Sequence, residues 1–215
     1  MASYENGSNT RRLILDTCKK LFYEKGYRTV SMTDIYKACF INRASLYYHF
    51  KDKETIRYEV HYELYIQNKN WAKSFCDKPE YHFLLAIYLF FYQLLHDPQT
   101  RRFLVEYVED NILYDPASSA AVLYQICCKQ MYGNIWQLDH ISPLSFASVY
   151  GHNNCLILMA AQHPEKFTAL DLFQQTMLSG TLIWGISSDQ STALWNALLP
   201  YIEALPTDTF DTSLL

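Results

Sequence analysis

The chain has 215 residues, half of them hydrophobic, and a formal net charge of −4. That length and composition suit a globular protein of one or two domains with a sizeable core. Its most apolar run, Phe83 to Leu95, is interrupted by Gln93 and is about 13 residues long, short of the roughly 18 needed to cross a bilayer, so no membrane span is expected.

Residues 1–9 carry no periodic apolar pattern and are expected to be flexible. A helix is predicted from about Thr10 to Lys25, with Leu13, Ile14, Thr17, Leu21 and Phe22 at three-and-four spacing, and Gly26 ends it as the C′ residue. Ser31 is a good N-cap for a short helix over Met32 to Cys39, with Thr33 and Asp34 in the first turn. Asn42 caps a second helix beginning at Arg43. The connection of about three residues, Phe40 to Asn42, has the length at which two helices cross as a helix-turn-helix. Ile35, Ile41, Leu46 and Phe50 are spaced to hold that crossing from inside. Arg43, Ala44, Tyr47 and Tyr48 remain on the outer, N-terminal part of the second helix, the part that enters a major groove in such motifs.

Charge is distributed to match. Residues 10–53 hold ten Lys/Arg and four Asp/Glu, hence +6, whereas residues 54–215 hold eight bases and seventeen acids, hence −9. A basic head on an acidic body is suited to placing one end against phosphate.

RLILDTCKKLFYEKGY, SMTDIYKA and SLYYHFKDKETI together resemble the N-terminal DNA-binding domain of the TetR (tetracycline-repressor-like) family, over about Thr10 to Arg57. The resemblance implies base contacts from Arg43, Ala44 and Tyr47, and backbone contacts to double-stranded DNA from Thr33, Ser45, Tyr48, His49 and Lys53. It also implies an all-α fold: a three-helix DNA-binding domain with a helix-turn-helix over 10–53, then a helical ligand-binding and dimerisation bundle over 54–205. Two positions depart from the family pattern: Phe40 stands where Gly is usual and Tyr36 where Ala is usual. A bulky residue in a left-handed turn costs about 1–2 kcal/mol. A TetR-like protein that has lost operator binding, and acts by protein interaction or ligand sensing, is the alternative these two residues leave open.

Beyond the head, Lys53 to about Cys76 carries Ile56, Val60, Leu64, Trp71 and Phe75 on one face. Pro79 starts the next helix, and Asp97 with Pro98 forms a cap and first helical position. Further helices are predicted over about 98–114, 117–138, 142–163, 168–187 and 190–204, with a flexible tail over 206–215. Ser142 to His152 looks like the opening of an ankyrin repeat, but neither flank repeats it, so it is read as helix-capping chemistry alone.

Eighteen tyrosines suit a pocket between helices as well as plain packing. The stripe Phe146, Tyr150, Asn153, Ile157, Ala160 holds an amide whose partner is a ligand, another side chain or water. Tyr132 and Trp136 on the preceding helix, and Glu106 with Tyr107 on the one before, complete the candidate ligand-binding set. That the body binds a small-molecule effector is implied by the resemblance, as is a homodimer formed by the last two helices. Its candidates are Leu172, Thr176, Ser179, Gly180 and Ile183, then Leu194, Leu198 and Ile202. A dimer would read a palindromic operator through heads about 34–36 Å apart.

Six cysteines without CxxC spacing fit reduced thiols in the cytoplasm, with Cys127 and Cys128 read as packing or as a thiol sensor. Seven histidines lack ligand spacing, and no P-loop or nucleophile elbow is present, so no metal, cofactor or enzymatic activity is expected. No basic segment followed by an apolar one opens the chain, so no signal peptide is expected.

Overall fold

The computed structural model describes residues 2–132, 142–183 and 185–214, with the backbone alone at 2–6, 131–132 and 181–183. The described residues are all-helical, without a strand among them. Helix α1 (Ala2–Lys25), α2 (Met32–Ala38) and α3 (Arg43–His49) form a head, and α4 (Lys53–Ala72) leads out of it. The body comprises α5 (His82–His96), α6 (Pro98–Asp110), α7 (Ser119–Tyr132), α8 (Pro143–Gln162), α9 (Ala169–Ile183) and α10 (Ser188–Glu203).

Local chemistry starts each helix. Ser31 closes a capping box with Asp34, while Asn42, Asp52, Asp97 and Ser142 each accept from a backbone N–H three residues on. Gly26, at φ 87°, ends α1 with its N–H on the Phe22 carbonyl. Helix α1 starts at Ala2 rather than near Thr10, so residues 2–9 continue the helix; Gly7 is the weakest former there, at a penalty of about 1 kcal/mol. Pro79 opens only a 3-10 turn, Pro79–Tyr81, before α5 begins at His82.

The head has a small core of its own, in which Ile14, Cys18 and Phe22 of α1 meet Ile35, Leu46 and Phe50; Leu13 faces outward instead. In the body, α5 is apolar almost all round and correspondingly buried on nearly every face. It therefore needs cover from several helices, and α4, α6, α8 and α9 pack against it.

That demand corrects the dimer expectation. Leu172 and Thr176 of α9, and Leu194 and Leu198 of α10, are buried within the single chain, because the strongest apolar stripes are used to cover the core. Ser179 is half-buried and donates to the Thr176 carbonyl, Gly180 is buried, and the Ile183 side chain lies outside the described residues. The tail is corrected too: residues 206–214 fold back onto the body. Leu214 is fully buried, Thr100 and Gln93 donate to the carbonyls of Thr212 and Ser213, and the Phe210 ring packs 4.8 Å from Trp71.

Candidate nucleic-acid interface and buried cavity

Helix α3 buries Leu46 and points Phe50 beneath it, which turns the opposite face to solvent. On that face Arg43, Ala44, Tyr47 and Tyr48 are exposed, Tyr48 by 84%, while Ser45 and His49 are half-buried at its margin. The Arg43 guanidinium lies 5.4 Å from the Tyr47 ring centroid, and the Tyr48 and His49 rings meet edge to face at 5.0 Å. Thr33 is exposed on the first turn of α2.

The turn between these helices is intact despite its unusual residue. Phe40 donates to the Lys37 carbonyl and Ile41 to the Tyr36 carbonyl, the paired bonds of a Schellman motif. Phe40 occupies the left-handed C′ position at φ 55° with its side chain 96% exposed. Tyr36 and Ile41, at C3 and C″ of this motif, are both partly buried against the core. Phe40 is thus accommodated by strain rather than by rebuilding.

The sequence comparisons bear on this part of the molecule. The model for "Bacterial regulatory proteins, tetR family" matches residues 14–60, which contain α2, the turn, α3 and the start of α4. The head is a TetR-family domain. The chain is 36% identical over 56 residues to the HTH-type transcriptional regulator AcrR of Shigella flexneri, 26% of each protein. It is 33% identical over 88 residues to IcaR of Staphylococcus aureus, the negative transcriptional regulator of the biofilm operon icaADBC, covering 41% of this chain and 47% of IcaR. The match thus spans a quarter to about half of these relatives. A TetR-family regulator from Pectobacterium atrosepticum aligns over 90% of this chain and 94% of its own at 16% identity, with a TM-score of 0.45, too loose to add to the sequence match.

Lys53 does not stand beside the other cationic groups of the TetR-family head. Its ammonium donates to the carbonyls of Tyr27 at 2.8 Å and Val30 at 2.7 Å and lies over the Tyr27 ring, so it pins α4 to the corner between α1 and α2. Burial, then the nearby Arg57, lower its pKa. Other head charges are likewise engaged internally: Arg11 with Glu59, Arg12 and Lys19 with Glu63, Arg28 with Glu109 and Asp110. The charge asymmetry read from the sequence is therefore partly the adhesive between head and body. Lys37, Arg43 and Lys51 are exposed around the helix-turn-helix.

Helix α6 joins the head to a cavity. One face carries Arg102, Glu106 and Asp110: Arg102 donates to the Tyr23 carbonyl, Glu106 accepts from the Tyr27 backbone N–H at 2.8 Å, and Asp110 accepts from Arg28 at 2.7 Å and Arg57 at 2.6 Å. Burial alone would raise the Asp110 carboxyl, but these arginines outweigh it and hold its pKa below the usual carboxylate range. Glu106, expected to meet a ligand, instead holds the head, because its place on the helix faces α1. Between the faces, the buried Arg57 guanidinium lies 3.9 Å from the Tyr27 ring centroid and 5.3 Å from that of Tyr107.

The other face of α6 lines a cavity of about 80 Å³ together with residues of α4, α5, α7, α8 and α9. Of the expected residues Tyr107, Tyr150 and Asn153 are there, while Trp136 and the Tyr132 side chain lie outside the described residues. The Asn153 amide finds its partners inside the protein: it donates to Tyr124 Oη at 2.8 Å and accepts from Thr176 Oγ1 at 3.2 Å. Tyr150 contributes its ring, its hydroxyl donating to the Asn111 carbonyl at 2.6 Å. Thr176, expected at a dimer contact, is part of this wall.

His61 and Tyr107 are different. Their rings meet edge to face at 4.0 Å, both are more than nine-tenths buried, and His61 Nδ1 and Tyr107 Oη have no hydrogen-bond partner among the described residues. Burial, then the charge of Arg57, push the His61 pKa down to about 3, so the imidazole is neutral. Cys127 and Cys128 lie in the same wall, where burial pushes Cys127 well above its ordinary pKa and Cys128 to about 12, leaving protonated thiols of low reactivity. Among the described residues of the lining there is no Lys, Arg, Asp or Glu.

Proposed function

We propose that the chain is a one-component transcriptional regulator: a cytoplasmic homodimer whose two heads, residues 10–53, bind a palindromic operator in double-stranded DNA. In this reading it is a repressor released when a small molecule enters the body, residues 54–205. The observation that carries it is the capped α3 with Arg43, Ala44, Tyr47 and Tyr48 on its open face, within a TetR-family head. Ser45, His49 and Thr33 at its edge serve phosphates, and Lys53 acts as a positioning residue. The name of IcaR, a negative regulator, favours repression.

Release works through α6. A ligand too large for the present cavity pushes on Tyr107, and the same helix holds the head through Arg102, Glu106 and Asp110. The shift requires tighter binding to the widened state, since a ligand of equal affinity for both states moves nothing. With the apolar stripes of α9 and α10 turned inward, the dimer forms on their outer faces, where Leu178, Ala193 and Ala197 are exposed.

Selection of bound sequences from a random DNA pool tests the reading. Two inverted half-sites about 10–10.5 base pairs apart, or a multiple, are expected. Substituting Arg43 should change preference at one base step by about 1–3 kcal/mol. Absence of any salt-sensitive, sequence-selective binding overturns the proposal.

A further inference from the structure

We propose that the effector is a neutral, single-ring aromatic molecule carrying one hydroxyl group, held with that hydroxyl between His61 and Tyr107. This deepens the regulator reading and rests on the body cavity being its effector site.

Three features of the cavity carry the inference. The first is its unmet polarity. Buried polar groups in proteins are almost always paired, and two residues of the cavity lining, His61 and Tyr107, each carry one without a partner among the described residues, which marks the place of a missing partner. His61 Nε2 lies 3.4 Å from Tyr65 Oη, so whichever of the two donates, Nδ1 is left with either a lone pair or an N–H to offer. A hydroxyl both donates and accepts. It can meet His61 in either tautomer while Tyr107 Oη takes the complementary role. A carbonyl or an ether would serve one tautomer only.

The second is the absence of charge. Among the described residues of the lining, neither a carboxylate nor an ammonium finds a counter-ion. Arg57, whose guanidinium is paired with Asp110 at 2.6 Å and lies 5.3 Å from the Tyr107 ring centroid, is not among the residues that line the cavity. Burying an unpaired charge here would be far more costly than burying a hydroxyl.

The third is shape and size. Tyr65, Phe90, Tyr107, Tyr124 and Tyr150 surround the space with ring faces and edges, which suits a flat guest. At about 80 Å³ the cavity is smaller than the engineered apolar cavity of about 150 Å³ that admits benzene. Even one ring has to widen it, and two rings would have to open it much further. A single-ring guest is therefore large enough to drive the widening and small enough to be admitted.

The test titrates full-length protein with 4-methylphenol, toluene, benzoate and benzylammonium at neutral pH by calorimetry. The expected order places 4-methylphenol roughly tenfold to a hundredfold tighter than toluene, with no detectable binding of either ion. Tyr107→Phe removes one unpaired oxygen and keeps the ring, so it should fold, retain toluene binding and reduce the preference for 4-methylphenol to a fewfold. His61→Phe, which removes both ring nitrogens, should reduce it likewise. Equal binding of toluene and 4-methylphenol, binding of either ion as tight as that of the phenol, or an undiminished preference in Tyr107→Phe overturns the assignment. DNA selection on the same protein separates the two proposals: a selected palindrome without phenol binding sinks the effector class alone, and phenol binding without DNA selection sinks the regulator reading alone.

Discussion

Replacing Phe40 by glycine isolates the strain stored in the recognition corner. The left-handed conformation costs a residue with a side chain about 1–2 kcal/mol, a penalty glycine does not carry. The 96% exposed ring contributes almost no burial to lose. Glycine loses more conformational freedom on folding, which removes about 0.4–1 kcal/mol of the gain. Phe40→Gly should therefore be more stable by about 0.5–1 kcal/mol, a rise of roughly 1–4 °C in a domain of this size. Urea unfolding should show a higher midpoint at unchanged slope. Phe40→Ala, which keeps the Cβ and hence the strain, should stay near the parent. A neutral or destabilised glycine variant would refute the strain argument and mean that the ring makes a contact the folded chain needs. If the variant is more stable and binds operator DNA less well, Phe40 is strained because it serves the complex.

Three further outcomes follow from other parts of the fold. Asp110→Asn should destabilise by about 2–3 kcal/mol in chemical unfolding, because it leaves the buried Arg57 without its carboxylate; Asp110 itself reaches solvent, which tempers the loss. A loss under about 0.5 kcal/mol would mean that α6 does not hold the head as described. His61 has a folded pKa of about 3, below its unfolded value, so its contribution is complete above about pH 6.5 and lost as pH falls towards the folded pKa. Stability should drop by up to about 1.4 kcal/mol per pH unit below about pH 6, a slope that His61→Phe removes; an unchanged slope in that variant contradicts a neutral buried imidazole. Leu198→Ala should cost about 2–5 kcal/mol at every protein concentration, as a core truncation does, whereas Ala197→Glu on the outer face should lower the mass measured by light scattering and leave the monomer fold intact. The reverse pattern would put Leu198 back at an interface between protomers.

The corner formed by α2 and α3 was legible in the sequence because its determinants are local. A cap acts within three residues, a turn closes within five, and a helical face repeats every three or four, so Ser31, Asn42, Leu46 and the open side of α3 follow from neighbours along the chain. The starts of α4, α6 and α8 followed similarly from Asp52, Asp97 with Pro98, and Ser142.

What tertiary structure alone decided is which neighbour each face meets. Lys53 and Glu106 read as ligands for outside partners, and both are used to tie α4 and α6 to the head; Thr176 and Leu198 read as an interface, and both are interior. Periodicity identifies an apolar or charged stripe but carries no information on whether another helix of the same chain reaches it. The cavity shows this most plainly. His61 stands beside the stripe of Val60 and Leu64, a polar residue next to an apolar face, and only the approach of α6 with Tyr107 makes it one half of an unpaired buried couple. Hydrogen bonds and desolvation act over a few ångströms in space, and His61 and Tyr107 are brought within that range by folding, not by their order in the chain.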